Sequence, residues 1–499
     1  MVEYFASQGI NTYLNPITQD GALIHSLNMV SFPYGAKSKR PGYSAFLGTP
    51  DNAQVNSLFA FPRQDGTSLF LYRASGSILY YSQQGTGPWT PAIGAGTADH
   101  GGTIANGSHV GKAILNDTMI VGDGAGSTRH TTTGTSFVDT TLAPVANYFA
   151  QYQNAIYAAG SASTLFKSSD NDATNWSTGG TSNSTSLTVP DEGKLAQIFV
   201  SADKLIATKN RGKMFSWDGY NLSDLATRYG PSSPWSIADI EDFRIFINQF
   251  GAFGFDRANN IQILSLPIWR YFYNVQNTQI PSANFPTIPA AAHLYDYFAA
   301  VGTITDDFTQ RQVSNAIINY NLQKNEWLLW QFNDFPTALT SYFDANNKRQ
   351  LIFGNSSGQV FQLDPTKTTD NGAVINTELV FLFDYATSQQ TMSQSAVKVL
   401  PAASFEKKWN WIRLFFNPGC EVNIQGAFSN GFTYQHLNWF DIVDNSQNPN
   451  QNASDGICEF RFPQDSRSRL LFLRIYESSP NSQWTYYGCS IDADIMHIS

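Results

Sequence analysis

The stretch Ser341–Asp364 reads SYFDANNKRQLIFGNSSGQVFQLD, and its pattern sets the plan for the whole chain. It holds short runs of apolar and polar residues at Ser341–Phe343, Gln350–Phe353 and Gln359–Leu363, separated by turns rich in Asn, Asp and Gly. Short alternating runs between such turns are typical of β-hairpins. Three or four such strands form one blade of a β-propeller, a unit that buries its faces only by stacking on other blades.

The same unit recurs upstream without a shared consensus sequence. The pattern marks further units at residues 58–89, 109–138, 146–176, 195–222, 235–264 and 295–332. Together with the opening stretch they number about seven, at a spacing of roughly 40–50 residues, which is the range of propeller blades. The sequence therefore predicts an all-β chain with a β-propeller of about seven blades over residues 47–365, interrupted by an insertion at 266–292.

The pattern changes after a polar linker at 365–377. Residues 378–499 hold longer strands, several of which alternate cleanly, with Cys458, Phe460 and Phe462 on one face. Long alternating strands of this kind are typical of two packed antiparallel sheets. We therefore expect a separate C-terminal antiparallel β-sandwich over 378–499.

Composition and charge exclude several classes of protein. Only 14% of the 499 residues are charged, and the formal net charge is −9 with a pI near 5.2. A surface that nucleic acid wraps needs a basic stripe, which this balance argues against. No apolar run approaches the ~18 residues of a membrane span, and the N-terminus does not have the pattern of a signal peptide. The three cysteines contain no CxxC pair, so we expect free thiols and neither a disulfide scaffold nor a zinc site.

Motifs that usually indicate chemistry have structural explanations here. Gly354–Gly358 matches G-x-S-x-G, but it joins two predicted strands, whereas a nucleophile elbow needs a following helix. Ser168–Trp176 resembles the Asp-box turn of sialidase propellers, which is itself a structural turn. Val121–Gly126 lacks the Lys-Ser/Thr of a phosphate-binding loop, so it is interpreted as a turn. Calcium binding by Asp123 is the alternative, although turns rich in Asp and Gly usually need no ion. The histidines do not show metal-ligand spacing. We therefore predict no catalytic, cofactor or metal site, and no enzyme.

Two segments are candidates for contacts with a partner. The insertion carries the dense aromatic run Trp269, Arg270, Tyr271, Phe272 and Tyr273, followed by a proline-rich loop. Aromatic residues with an arginine suit a protein–protein contact. The alternative is a loop that folds back and covers apolar surface of the propeller itself.

The second candidate lies in the N-terminal arm, residues 1–46, which does not have the pattern of a blade. Lys37, Lys39 and Arg40 form a small basic cluster before Pro41. The arm is interpreted either as a solvated lead into the propeller or as the source of a strand that completes the last blade. On the first interpretation the three cations are available to a partner.

The arm also carries a resemblance to a known family. It has the pattern N-P-x-T-x-x-G-x-L-x-x-x-x-N, followed by Gly-x-Lys/Arg-x-x-Gly-Tyr. The residues are Asn15, Pro16, Thr18, Gly21, Leu23, Asn28, Gly35, Lys39, Arg40, Gly42 and Tyr43. This resembles the tail nozzle, or packaged-DNA stabilisation (tail hub), proteins of short-tailed bacteriophages. That resemblance implies a β-propeller with extra β modules and no catalytic residues.

The resemblance further implies a structural virion protein of the tail or neck, assembled in the host cytoplasm. Such a subunit forms a homo-oligomeric ring, a hexamer by resemblance, that contacts the portal–adaptor complex and other tail proteins. Genomic DNA passes through during ejection without sequence-specific binding, and an acidic or uncharged channel would repel phosphate rather than grip it. Two alternatives remain open. One is a glycan-binding or glycan-cleaving, sialidase-like propeller that stacks sugars on Trp89, Trp176 and Trp217, and the other is a receptor-binding or decoration protein on the virion.

Overall fold

The structure is a computed structural model of the 499-residue chain. It describes residues 2–5, 10, 22–32, 35–66, 68–94, 104–159, 163–177, 185–190, 193–210, 212–225, 229–241, 243–256, 258, 260–272, 280–306, 309–383, 406–430, 437–443, 456–480 and 483–496. The all-β prediction is confirmed, since 55% of the described residues are in strands and 3% are in helices.

The N-terminal arm holds five strands that form no sheet of their own. They are β1 (Val2–Phe5), β2 (Ala22–Leu27), β3 (Met29–Val30), β4 (Lys37–Lys39) and β5 (Gly42–Ala45). Strands β1, β2, β4 and β5 each pair with a strand from a later part of the chain, and β3 pairs with β4. The described strands of the arm are therefore built into sheets.

Small sheets follow one another along the chain up to residue 263, and all their pairings are antiparallel except that β10 pairs with β14 in parallel. The first contains β6 (Val55–Pro62), β7 (Leu69–Ser75), β8 (Ile78–Gln83) and β9 (Thr90–Pro91). The second contains β10 (Ile93–Gly94), β11 (Gly111–Leu115), β12 (Thr118–Gly122), β13 (Arg129–Thr131) and β14 (Ser136–Asp139). The third contains β15 (Tyr148–Tyr152), β16 (Ala155–Ala159), β17 (Thr164–Lys167) and β18 (Thr185–Thr188). The fourth contains β19 (Leu195–Ser201), β20 (Lys204–Lys209), β21 (Met214–Trp217) and β22 (Leu222–Asp224). The fifth contains β23 (Ala238–Ile240), β24 (Phe243–Asn248), β25 (Gly251–Phe255) and β26 (Ile261–Ile263), with a 3-10 turn at Pro234–Ser236 before it.

Helical turns occupy the predicted insertion before the strands resume. They are the 3-10 turn Leu266–Ile268, the one-turn helix α1 (Trp269–Phe272) and the 3-10 turn Phe285–Thr287. The next strands are β27 (Ala290–His293), β28 (Asp296–Thr305), β29 (Gln312–Asn321) and β30 (Glu326–Gln331). They are followed by β31 (Ala338–Phe343), β32 (Arg349–Gly354), β33 (Val360–Asp364), β34 (Thr369–Asp370) and β35 (Ala373–Val374). The hairpins predicted over Ser341–Asp364 are confirmed by β31–β33. Strand β27 begins at Ala290, which is inside the predicted insertion 266–292.

The C-terminal part contributes longer strands. They are β36 (Thr377–Phe383), β37 (Lys407–Phe416), β38 (Asn423–Ser429), β39 (Phe440–Val443), β40 (Ile457–Arg461), β41 (Arg467–Ser468), β42 (Leu470–Glu477) and β43 (Thr485–Ile495). Within the described residues, no helix has the length and apolar character that crossing a membrane requires.

Successive small sheets pack face to face around a common axis. Apolar side chains of neighbouring sheets form shared clusters. Ile120 of β12 and Ile156 of β16 belong to one such cluster, and Tyr157 of β16 and Leu205 of β20 belong to another. The ring closes because β31 contacts β6. Each small sheet buries its faces only against its neighbours, which is the physical logic of a propeller. The fold is therefore propeller-like.

The arm supplies a strand to the last small sheet. Strand β5 pairs antiparallel with β33, so that Tyr43 lies opposite Leu363. On the other side of β5, a Cβ on Gly42 would clash with the carbonyl oxygen of Thr369 on β34, so the close approach of β34 to β5 requires glycine there. The interpretation of the arm as the source of a completing strand agrees with this pairing.

The sequence predicts a separate C-terminal unit, but the C-terminal strands are joined to the ring through the arm. Arm strand β2 lies between β30 of the ring and β36 of the C-terminal part, within one nine-stranded sheet. A second sheet of seven strands combines β1, β3 and β4 of the arm with β37, β40, β41 and β43. The reason is that an edge strand has unpaired N–H and C=O groups that another strand can cover. Strand β2 of the arm pairs with β30 on one side and with β36 on the other.

Candidate functional site

The three predicted contact cations of the arm are buried inside the protein. The exposed fractions of Lys37, Lys39 and Arg40 are 0%, 2% and 0%. The interpretation of a solvated basic arm is therefore wrong for these residues, and their side chains are not presented to a partner. The physical reason is that β4 is an inner strand of the seven-stranded sheet, with β3 on one side and β43 on the other.

Each of these cations has its own carboxylate partner. Lys37 Nζ lies 2.7 Å from Glu326 Oε2, and Lys39 Nζ lies 3.1 Å from Glu477 Oε2. Arg40 pairs with Asp370 at 2.6 Å. We call these three pairs the arm clamp: Lys37–Glu326, Lys39–Glu477 and Arg40–Asp370. Their partners lie on β30, β42 and β34, so the arm clamp connects the arm to the ring and to the C-terminal part at once.

Arg40 is the best-satisfied member of the arm clamp. Its Nη1 and Nη2 donate to the two oxygens of Asp370 at 2.8 and 2.6 Å, a bidentate geometry. Its Nε donates to Asn28 Oδ1 at 2.9 Å, and Nη2 also donates to the carbonyl of Gln331 at 2.6 Å. The guanidinium carbon lies 4.7 Å from the centre of the Phe332 ring. Such a planar, fully bonded cation fixes the relative positions of the strands around it.

Burial acts against the charges of the arm clamp. Burial lowers the pKa of Lys37 from 10.5, although Glu326 opposes this effect. Burial likewise raises the pKa of Asp370 from 3.8, although Arg40 acts to lower it. A buried ion that is paired is tolerated, but the same ion left alone is strongly unfavourable. The arm clamp therefore specifies how the arm sits more than it adds net stability.

The aromatic run of the insertion is partly buried as well. Tyr271 and Phe272 are 1% and 0% exposed and pack in an apolar cluster with residues of β23–β25 and β27–β30. The alternative of a loop that folds back over the ring is therefore correct for these two residues, and they are not available to a partner. Trp269 is half-buried and Arg270 is exposed, so these two can still lie in a contact surface. Tyr273 lies outside the described residues.

A buried polar network connects the insertion with the arm. Tyr271 donates its hydroxyl to Asp306 Oδ2 at 2.7 Å, and His25 Nδ1 of β2 lies 3.1 Å from the same oxygen. Thr309 donates its backbone N–H to Asp306 Oδ1 at 2.6 Å. Burial acts to lower the pKa of His25, but the charge and hydrogen bond of Asp306, together with the charge of Glu378, raise that pKa above 6.5. Burial acts to raise the pKa of Asp306, but His25 and the hydrogen bonds hold that pKa below 3.8.

The directions of these pKa shifts predict how stability depends on pH. A raised His25 pKa stabilises the fold fully below pH 6.5, and this contribution is lost as the pH rises through the pKa of the folded state. A lowered Asp306 pKa stabilises the fold above pH 3.8, and this contribution is lost as the pH falls. The His25–Asp306 pair therefore contributes most to the free energy of unfolding between pH 3.8 and pH 6.5.

The test is the free energy of unfolding of the wild type and of His25→Gln across this pH range. The difference between the two proteins should be largest near pH 5 and should shrink above neutrality. A difference that stays constant from pH 5 to 9 would contradict the assignment of a charged His25.

The motifs that were interpreted as structural turns have that geometry. Gly354–Gly358 joins β32 to β33, and Asn355 Oδ1 accepts the backbone N–H groups of Ser357 and Gln359. Partial burial acts to raise the pKa of Asp123, but N–H donors from Gly126, Ala105 and Ala125 lower it.

The aromatic and sulfur residues also have interior roles. Trp176 is 5% exposed, donates its Nε1–H to the carbonyl of Ala173 at 2.9 Å and packs between the second and third small sheets, so it offers no face to a sugar. The cysteines are free thiols; Cys420 and Cys489 are buried and Cys458 is half-buried. No cluster of three or more His, Cys, Asp or Glu suited to a metal ion occurs among the residues that the structure describes.

An axial cavity of about 270 Å³ lies where the small sheets meet. One strand from each of six sheets lines it, namely β6, β11, β15, β19, β27 and β31, together with the Pro234–Ser236 turn before β23. Its polar lining includes Asn56, His109, Lys112, Gln197 and Trp235, of which His109 and Trp235 are half-buried and reach solvent. The sequence did not predict this group because each residue comes from a different repeat, and only ring closure brings them together. The sequence signal for this cavity is limited to one polar or aromatic residue near the start of several repeats.

The comparisons with known proteins concern the fold. No protein-family model and no curated protein matches this sequence. Among solved structures, the WD40 β-propeller domain of Doa1 is 10% identical, with 66% of this chain and 98% of that chain covered and a TM-score of 0.38. YCF48 from Cyanidioschyzon merolae is 12% identical, with 65% and 99% covered and a TM-score of 0.41. BamB from Moraxella catarrhalis is 14% identical, with 72% and 97% covered and a TM-score of 0.40.

Proposed function

We propose that this protein is a structural subunit of a tailed-phage virion, a ring-forming nozzle or hub at the neck or tail. The observation that carries the proposal is the arm clamp. Buried ion pairs fix the N-terminal arm to both the ring of small sheets and the C-terminal sheets. A part that must keep its shape under load needs such cross-connections, because interfaces between domains otherwise allow relative motion.

The proposed architecture is a β-propeller of seven blades with a C-terminal β-sandwich. The blades correspond to the sheets that contain β6, β11, β15, β19, β23, β27 and β31, and β5 of the arm completes the last one. The sandwich consists of the C-terminal portions of the two large sheets, which share an apolar cluster that includes Leu473 of β42 and Ile412 of β37. This architecture agrees with the resemblance of the arm to the phage family.

The proposed mechanism is geometric and electrostatic. Rigid subunits close around an axis by head-to-tail contacts, and the resemblance gives six of them. The net charge of −9 suits a channel wall that lets DNA slide, since a basic wall would hold the phosphates by counterion release. The axial cavity of each subunit, about 270 Å³, is far too small for a DNA duplex. The DNA path would therefore lie between subunits.

The test is the size of the purified protein by light scattering, alone and mixed with a portal–adaptor complex. We expect a ring, or a monomer that assembles only on the portal–adaptor complex. A protein that stays monomeric and binds neither its own copies nor that complex would contradict the proposal.

A charge-reversal variant tests the insertion as the contact surface. Arg270→Glu changes an exposed residue of α1 and should weaken assembly about tenfold, as loss of a charged contact at an interface does. Arg461→Glu, at a side chain that is 84% exposed on β40, is the matched control. Equal effects of the two variants would place the contact elsewhere.

A further inference from the structure

The lining of the axial cavity holds a cation, Lys112, for which the described lining residues supply no acidic counter-ion. Lys112 Nζ donates to the carbonyl of Ala60 at 2.7 Å and lies 5.8 Å from the centre of the Phe59 ring. None of the described residues that line the cavity is Asp or Glu. Burial lowers the pKa of Lys112 to about 8, and no nearby carboxylate opposes this effect. This differs from the arm clamp, in which every buried cation has a carboxylate partner.

Two buried amide groups in the same cavity are half-satisfied. Asn56, 1% exposed, accepts a hydrogen bond at Oδ1 from Gln54, but its Nδ2 makes no hydrogen bond within the structure. Gln197, 9% exposed, donates from Nε2 to the carbonyl of Pro234 at 2.7 Å, but its Oε1 has no donor. A buried polar atom without a partner is unfavourable by about 1–3 kcal/mol. The cavity therefore offers one unused donor and one unused acceptor besides the lysine.

An aromatic surface completes the lining. The rings of His109 and Trp235 are stacked, with centroids 4.6 Å apart and planes at 22°. Tyr148 lies beside them, its ring 6.1 Å from that of Trp235. Indole and imidazole faces of this kind pack against the C–H groups of a polar organic molecule. A bare inorganic ion would use the lysine but not this surface.

We propose that the axial cavity is a binding site for a small polyhydroxylated carboxylate, that is, a molecule of the sugar-acid class. The carboxylate pairs with Lys112 and accepts a hydrogen bond from Asn56 Nδ2. A hydroxyl group donates to Gln197 Oε1, and the carbon skeleton packs on Trp235. The cavity volume of about 270 Å³ limits the ligand to roughly the size of one monosaccharide unit. This site does not depend on the proposed role in the virion.

Isothermal titration with three probes tests the ligand class: gluconate, glucose and inorganic phosphate. Gluconate should bind and raise the melting temperature, whereas glucose lacks the charge and phosphate lacks the hydroxylated skeleton. Equal binding of glucose and gluconate would overturn the anionic class, and preferential binding of phosphate would overturn the organic one. Absence of gluconate binding at millimolar concentrations would overturn the site.

Variants test which residues hold the ligand. Lys112→Met should weaken gluconate binding by at least about tenfold, since hydrogen bonds to charged groups contribute about 1.5–3 kcal/mol. This variant should stay folded, because the ammonium that it removes has no carboxylate partner among the described lining residues and is replaced by an apolar chain of similar length. Lys194→Met, at an exposed position, is the control that should bind as the wild type does. Unchanged gluconate affinity in a folded Lys112→Met protein would overturn the assignment.

Gln197→Leu gives an independent measurement at the other end of the cavity. It removes the unused acceptor, and it should weaken gluconate binding while leaving the already weak glucose signal unchanged. A Gln197→Leu protein that binds gluconate as tightly as the wild type would overturn the role of Gln197.

Discussion

Replacing Arg40 by alanine is expected to lower the free energy of unfolding by about 3–5 kcal/mol, the range for breaking a buried ion pair. Arg40 is fully buried, and its removal leaves the 2% exposed Asp370 without its bidentate partner. It also leaves Asn28 Oδ1 and the carbonyl of Gln331 short of donors. Because these groups belong to the arm, the ring and the strand that follows β33, one substitution disturbs all three. The measurement is equilibrium denaturation of Arg40→Ala and wild type in the same buffer.

An exposed ion pair provides the control for this prediction. Arg413 and Glu459 face each other on neighbouring strands at 2.6 Å, but both side chains are partly exposed, at 43% and 36%. Arg413→Ala should therefore be much less destabilising than Arg40→Ala, since solvent screens such pairs. If both variants unfold at the same denaturant concentration, the arm clamp does not hold the arm in the way that we describe.

Replacing Tyr43 by alanine is expected to destabilise the protein by about 3–5 kcal/mol, the range for truncating a large core aromatic residue. Tyr43 of β5 is 1% exposed. Its ring centroid lies 4.9 Å from that of Phe353 and 5.1 Å from those of Phe332 and Phe361. The truncation would leave a cavity where β5 joins the last small sheet. Thermal and chemical denaturation both measure the loss.

Tyr43→Phe separates ring packing from hydrogen bonding. The hydroxyl donates to Asp334 Oδ2 at 3.1 Å, so its removal should be unfavourable by only about 1 kcal/mol. Comparable losses for Tyr43→Phe and Tyr43→Ala would mean that the packing of the ring contributes little, contrary to the observed geometry.

The sequence predicted local structure better than long-range pairing. The runs in Ser341–Asp364 became β31–β33 with shifts of a few residues, because alternation and turn residues act over short distances. The position of β2 between β30 and β36 was not predictable, because the alternating pattern of a strand does not specify which other strand it pairs with.

The candidate site shows the same limit. Lysines and arginines are rarely buried, so Lys37, Lys39 and Arg40 were interpreted as solvated. Their partners Glu326, Asp370 and Glu477 are roughly 290 to 440 positions away, and no spacing rule connects such positions. The axial cavity required ring closure before its residues came together. In contrast, the burial of Tyr271 and Phe272 under a folded-back loop could be predicted from the sequence, because large aromatic side chains are usually buried within the protein itself.

Hydrogen–deuterium exchange at increasing denaturant concentration tests the central claim, that the arm makes the ring and the C-terminal sheets one mechanical unit, most directly. The informative amides are those of β30, residues 326–331, and of β36, residues 377–383, which flank β2 of the arm. We predict that both strands lose protection at the same denaturant concentration. Loss of protection in one strand while the other stays protected would contradict the account, because the arm would then connect two parts that unfold independently.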